Sequence, residues 1–200
     1  MMKSEYPIDP QRQTQWEQRY RQGSTGWDQG GPSTALDHWL ESMPPGRVLV
    51  PGCGHGHEIG LLAQAGHEVT AVDIAPTPLA RLRQALAESG LQAEVVQADL
   101  LHWEPAGRFD FIYEQTCLCA LAPEHWADYA QRLHRWLRPG GRLYALFMQT
   151  GQEVGPPFHC DLGQMRRLFA GPAWRWPTAE ALELHRANGN CELGYALEAV

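Results

Sequence analysis

Arg47-Val48-Leu49-Val50-Pro51-Gly52-Cys53-Gly54-His55-Gly56 is a short apolar run that ends in alternating glycines. It reads as a buried strand feeding a tight turn, with a helix from Glu58 to Ala65 after it. A second apolar run, Val69-Thr70-Ala71-Val72-Asp73, closes on an acid. Two parallel strands of this kind bring turn and carboxylate to one sheet edge. There a nucleoside-bearing cofactor meets bare backbone at one end and Asp73 on its ribose hydroxyls. The glycines stand at 52, 54 and 56, a GxGxG pattern and not GxGxxG. That spacing suits S-adenosylmethionine better than a dinucleotide, because no pyrophosphate has to be held at a helix N-terminus.

The flanking segments alternate helix and strand. Residues 10–22 form a polar helix with Trp16 and Tyr20 four apart, and a Gly-rich loop to Pro32 carries Trp27. Pro32 at the first helical position and the apolar set Leu36, Trp39 and Leu40 start a second helix, which Pro44-Pro45-Gly46 stops. Beyond the two strands already quoted, Leu79, Leu82 and Leu86 share one helix face, and Gly90 ends that helix. Ala93–Gln97 and Phe109–Tyr113 are the third and fourth strands; the latter is almost wholly apolar, as parallel sheets require. Glu124–Leu137 is an amphipathic helix with Trp126, Tyr129, Leu133 and Trp136 on its stripe, broken by Pro139-Gly140-Gly141 before a fifth strand, Arg142–Met148. A short helix at Leu162–Phe169 and two strands, near 179–184 and 193–199, complete the chain. The expected class is α/β: one Rossmann-like domain, residues 1–200, with a mostly parallel seven-stranded sheet and helices on both faces.

Composition narrows the function. Two hundred residues with 44% apolar and 20% charged content suit one domain with a real core. A formal charge of −7 argues against a nucleic-acid partner. Met1–Pro10 lacks an apolar leader core, and no run approaches the ~18 apolar residues of a membrane span, so a cytoplasmic protein with no membrane partner is expected. Five scattered cysteines read as thiols. Cys53, His55 and His57 alternate, but a structural zinc needs four ligands and no second pair lies at suitable spacing, so no metal is expected.

Several segments together resemble the thiopurine S-methyltransferase family, nearest its thiol and halide methyltransferase branch. They are Trp16-Glu17-Gln18-Arg19-Tyr20 with Thr25-Gly26-Trp27-Asp28-Gln29-Gly30, Val50-Pro51-Gly52-Cys53-Gly54, and Gly66-His67-Glu68-Val69 running into Val72-Asp73-Ile74. Cys119-Ala120-Leu121-Ala122-Pro123, Leu137-Arg138-Pro139-Gly140-Gly141 and Gly155-Pro156-Pro157-Phe158 follow in order. The resemblance spans nearly the whole chain and implies a class I S-adenosylmethionine-dependent methyltransferase whose product is S-adenosylhomocysteine. It implies that residues 1–45 cover the cofactor over a core of 46–200, with Trp16, Tyr20 and Trp27 packed on it. Gly52, Cys53 and Gly54 would meet the methionine end, Asp73 and Ile74 the ribose, and Asp99 and Leu100 the adenine. Gln115 stands where parts of the family have arginine or tyrosine, and Tyr20 where relatives often carry tryptophan, which leaves the acceptor open.

Other candidates rest on position. Glu114 and Gln115 end the fourth strand on the ligand-facing edge, and Cys119 lies at its exit, as core or pocket lining. Phe158 belongs to the substrate-pocket segment; His159 is either a proton-accepting group near the acceptor or a surface histidine. Arg166 and Arg167 either attract an anionic acceptor or form a solvated helix face. No catalytic triad is legible, which fits methyl transfer to a small soft nucleophile such as a thiol, sulfide, halide or chalcogen compound. Such a nucleophile needs little general base, since a thiol of ordinary pKa is a few per cent thiolate at neutral pH. A nucleotide-binding regulatory protein without turnover and an NAD-dependent oxidoreductase are the rival classes. The acceptor is a small molecule in the methyltransferase reading, and a monomer or weak homodimer is expected.

Overall fold

Apolar alternation along the central strands sets the architecture. In β1 (Arg47–Pro51), Val48 and Val50 face one core layer and Leu49 the other. In β5 (Leu137–Gln149), Leu143, Ala145 and Phe147 share the layer of Leu49, while Tyr144 and Leu146 take the opposite side. A sheet buried on both faces needs helices on both. The first layer is closed by α5 (Trp126–Trp136) and α6 (Leu162–Leu168), the second by α2 (Thr34–Leu40), α3 (His57–Gln64) and α4 (Pro76–Ser89). Leu133 and Tyr129 on α5 are fully buried, and cutting Leu133 back to alanine would cost about 2–5 kcal/mol in lost contacts and cavity. The structure, a computed structural model, describes residues 6–200; Met1–Glu5, part of the stretch on which the expectation about a leader rests, lie outside the described residues.

The remaining elements are α1 (Pro10–Arg21), β2 (Glu68–Asp73), β3 (Glu94–Gln97), β4 (Phe109–Gln115), β6 (Trp174–Arg175), β7 (Leu182–His185) and β8 (Cys191–Ala199). The sheet runs β3-β2-β1-β4-β5-β8-β6, with β7 also on β8. Strands β1 to β5 are mutually parallel, and β8 runs antiparallel to β5. The sheet has eight strands, not seven. The difference lies at one edge: β7 pairs with Cys191–Gly194 and β6 with Glu198–Ala199, so two short strands share the flank of β8 that β5 leaves open. The order reverses between β1 and β4, and the crevice at the ends of these strands is the switch point where ligands bind in this topology.

Local chemistry moves some boundaries. Pro32 does not start α2: Ser33 caps it, its hydroxyl accepting from Ala35 N–H. Asp9 caps α1 in the same way, its carboxylate accepting from Gln11 and Arg12 N–H with Pro10 at the first turn. Strand β5 starts at Leu137, five residues early, because Leu137 pairs with Phe109 before the Pro-Gly-Gly segment bulges out and Arg142 resumes pairing at Phe111.

Candidate functional site

The glycine turn after β1 lies against Cys117, just past β4. Gly52 has φ +59°, and a Cβ there would lie 2.8 Å from Cys117 Sγ, so both backbone conformation and space demand glycine. Gly54 has φ +52° and donates its N–H to Asp73 Oδ2 at 2.9 Å. Asp73 Oδ1 accepts from Ala75 N–H at 2.9 Å, so the acid that closes β2 is fixed from two sides. Asp73 is 6% exposed; burial raises its pKa against the lowering pull of these N–H groups.

Around this turn lies a cavity of about 330 Å³. Gly52, Asp73, Ile74, Asp99 and Leu100 form its floor along the strand ends, and Trp16, Tyr20 and Trp27 face them from α1 and the following loop. The three aromatic rings meet edge to face, Trp27 lying 5.5 Å from Trp16 and 5.6 Å from Tyr20. Cys119 and Cys117 add sulfur to the wall, beside Met148 and Pro156. Burial pushes both thiols well above their usual pKa, so they stand as neutral thiols and not as nucleophiles.

A second, more polar cavity of about 260 Å³ adjoins it. Cys53, Gly54 and Gln115 line this one rather than the first. Trp27, Gly52, Thr116 and Arg186 line both and so mark the junction. Thr116 has φ +59°, a strained state for a β-branched residue, at the turn that leaves β4.

The covering segment is stitched down by charge. Arg12 Nη1 lies 2.7 Å from both carboxylate oxygens of Asp99. Buried Glu17 accepts from Thr77 N–H and its hydroxyl at 3.0 and 2.6 Å. Asp28 meets His55 Nδ1 at 2.6 Å and His57 Nε2 at 2.8 Å. Burial alone would raise the Asp28 pKa, but Gly30 N–H and the two imidazoles hold it below the usual value. Donor atoms of Asp28, His55 and His57 lie within 4.8 Å of one another; Asp28, not Cys53, completes this group.

Several residues singled out from sequence face elsewhere. Glu114 lines neither cavity; its Oε1 accepts from Cys117 and Leu118 N–H at 3.1 and 2.6 Å, and burial pushes its pKa up to about 7. His159 Nδ1 accepts from Thr150 and Gly151 N–H, and Phe158 packs against the core; neither lines a cavity, and Pro156 and Pro157 do instead. Arg166 lies over the ring of Trp176, and neither it nor Arg167 reaches the cavities. Sequence reasoning missed Arg12, Thr116, Arg186 and Glu192.

The family described as thiopurine S-methyltransferase (TPMT) matches residues 11–194. The chain belongs to that family. It is 32% identical over 159 residues to the probable thiol methyltransferase 2 of Arabidopsis thaliana, covering 77% of this chain and 70% of that protein. It is 33% identical over 160 residues to thiocyanate methyltransferase 1 of the same plant, with the same coverage. Its fold matches the Burkholderia thailandensis 1,6-didemethyltoxoflavin-N1-methyltransferase, a structure holding S-adenosylhomocysteine, with a TM-score of 0.74 at 18% identity over 100% of this chain and 98% of that one. The protein is an S-adenosylmethionine-dependent methyltransferase acting on a small molecule. Its residues fit that cofactor: the side-chain-free Gly52 leaves the first cavity open where a Cβ would strike Cys117, and the fixed Asp73 carboxylate lies at its edge. No helix of the described residues is long and apolar enough to cross a membrane.

Proposed function

We propose that the methyltransferase passes its methyl group to a small soft nucleophile: a thiol, sulfide, halide or chalcogen compound. One observation carries this reading. No group lining the first cavity among the described residues is placed to take a proton: no histidine lines it, Asp73 and Asp99 are engaged by N–H groups and Arg12, and the cysteines are protonated. The acceptor must then arrive with its own electron pair.

Bound S-adenosylmethionine supplies a methyl group already activated by its positive sulfur. The chain supplies alignment and dryness. In this reading Asp73 holds the ribose hydroxyls, with Ile74 beside it, and Leu100 and the backbone of Asp99 flank the adenine. Gly52 lets the sulfonium approach the backbone. Trp16, Tyr20 and Trp27 exclude water, and their π-faces favour a sulfonium. Residues 1–45 act as the cover and 46–200 as the core of a single domain. We read the protein as cytoplasmic and as a monomer or weak homodimer, with no nucleic-acid or membrane partner.

Turnover with a simple thiol, sulfide and iodide tests the acceptor class. Calorimetry with S-adenosylmethionine, S-adenosylhomocysteine and NADH runs alongside it. Cofactor binding with no turnover across the panel would favour a binding protein, and binding of NADH alone would restore the oxidoreductase.

A further inference from the structure

Asp28, His55 and His57 form a cluster of metal-ligating side chains that the methyl-transfer site does not use. They come from separate parts of the fold. Asp28 follows Trp27 in the cover loop, His55 stands between Gly54 and Gly56 in the glycine turn, and His57 opens α3. All three line the second cavity and none lines the first. Asp28 is the hub, with Oδ2 at 2.6 Å from His55 Nδ1 and Oδ1 at 2.8 Å from His57 Nε2. The side chains of Asp28, His55 and His57 are 19%, 17% and 33% exposed, so the cluster is shielded and still reachable. It is also held from behind. Gly30 N–H donates to Asp28 Oδ1 at 2.8 Å, Asp28 N–H donates to the Thr25 carbonyl at 2.8 Å, and the His55 ring packs edge to face on Tyr20 at 5.4 Å. Outer contacts of this kind orient the ligands of a metal. Cys53 packs with Val48 and Ile59 in the core and is not a member.

A hydrogen-bonded latch between loop and turn needs only one of these contacts. Two imidazole nitrogens and a carboxylate aimed at one point, beside an open cavity, make the nitrogen–nitrogen–oxygen donor set of zinc-type ions. Three protein ligands with a free position belong to the open class of zinc site, which the four-ligand rule for structural zinc does not exclude. Tetrahedral bonds of about 2.0–2.2 Å space the ligand atoms roughly 3.3–3.5 Å apart, so the carboxylate has to draw back from each ring by roughly 0.5–0.9 Å to admit the ion.

We propose that Asp28, His55 and His57 bind one divalent ion of the zinc class, with its free position facing the second cavity. With one carboxylate among its ligands the ion keeps a positive charge, which the net charge of −7 on the chain favours. The ion joins the cover loop to the glycine turn. Asp28 adjoins Trp27, and Trp27 packs on Trp16 and Tyr20, so fixing Asp28 fixes the aromatic cover. This latch, unlike the metal site, rests on the reading above in which residues 1–45 cover the cofactor. Metal and cofactor then bind with positive coupling, each raising the affinity for the other by the same factor.

Calorimetry of the untagged, cofactor-free protein with zinc tests the site. One zinc per chain is expected, with affinity weakened ~10-fold or more in His55→Gln/His57→Gln. Cobalt(II) in place of zinc should give the visible bands of a low-coordinate nitrogen–oxygen site, without the near-ultraviolet charge-transfer band that a thiolate ligand adds. No stoichiometric uptake, uptake unaltered in the double variant, or a thiolate band would each overturn the site. If the double variant does not unfold cooperatively, Asp28→Asn takes its place with the same readouts. Saturating zinc should then lower the Kd of S-adenosylhomocysteine about 5-fold or more, a response that the variant loses. An unchanged Kd with zinc bound would overturn the latch. Failure of S-adenosylhomocysteine to bind with or without zinc would refute the cover reading and the latch with it, while zinc uptake, read without cofactor, still decides the site.

Discussion

Arg12 on α1 and Asp99 after β3 form a two-point contact, one guanidinium nitrogen 2.7 Å from each carboxylate oxygen. Asp99 is 2% exposed, and its carboxylate also accepts the N–H of Leu101 and of Asp9. The acid that the family resemblance assigns to the adenine therefore spends its side chain on the cover, and leaves backbone to face the cavity.

Arg12→Ala should loosen that cover. Removing one partner of a mostly buried pair leaves the other desolvated and uncompensated, so chemical denaturation should show a loss of about 1–3 kcal/mol. The residual exposure of Arg12 keeps the figure below that of a fully buried pair. Stopped-flow release of S-adenosylhomocysteine should accelerate as well. An unaltered release rate would detach Arg12 from the closing of the site.

Asp73→Ala removes the carboxylate fixed by Gly54 and Ala75. Calorimetry should show cofactor affinity weakened by ~1–3 kcal/mol through lost charge-assisted hydrogen bonds to the ribose. Unchanged affinity would remove Asp73 from the ribose.

Gly52→Ala faces two penalties, the left-handed φ and the 2.8 Å approach to Cys117 Sγ. Stability should fall by about 1–3 kcal/mol and cofactor binding with it. The second-site change Cys117→Gly removes both Sγ and the Cβ that would lie at 2.9 Å and leaves the φ penalty, so the double variant should recover part of the stability relative to the sum of the single changes. Strictly additive effects in a double-mutant cycle would contradict the contact.

Glu114 yields a pH prediction. Its native pKa is about 7, against 4.5 for the free group, because it is buried. Between those values the folded state keeps a proton that the unfolded state has lost. The contribution of Glu114 to stability is therefore greatest below pH ~4.5 and declines as pH rises towards ~7, by at most roughly 3 kcal/mol. Glu114→Gln keeps an acceptor for the N–H groups of Cys117 and Leu118 and cannot ionise. Its melting temperature relative to wild type should rise from pH 4.5 to pH 8. A constant offset would mean that Glu114 is not protonated in the native state.

The strand-and-helix order was legible because each element obeys a local period. Val48, Leu49 and Val50 must be buried whatever follows, and the stripe on α5 admits one conformation. The glycine turn and Asp73 were legible for the same reason: adjacent parallel strands place their ends together once the class is known. The split edge of β6 and β7 was not, since two- and four-residue strands carry no period of their own.

By itself, then, the chain of residues determined an α/β sheet and the crevice at its strand ends, which follow from short-range pattern and chain order, whereas the aromatic cover came from the family resemblance. Tertiary structure alone decided which way the polar groups at the β4 exit and the C-terminal hairpin would turn. Glu114 looks inward to cap a turn, Gln115 looks to Glu192, and Arg186 arrives at Trp27 from the far end of the chain. Glu114 meets N–H groups three and four positions on, but the last two pairings join residues 77 and 159 positions apart. Their partners are selected by desolvation, since a charge buried at a sheet edge must find whatever counter-charge or carbonyl the fold brings there, and no local sequence signal records that choice.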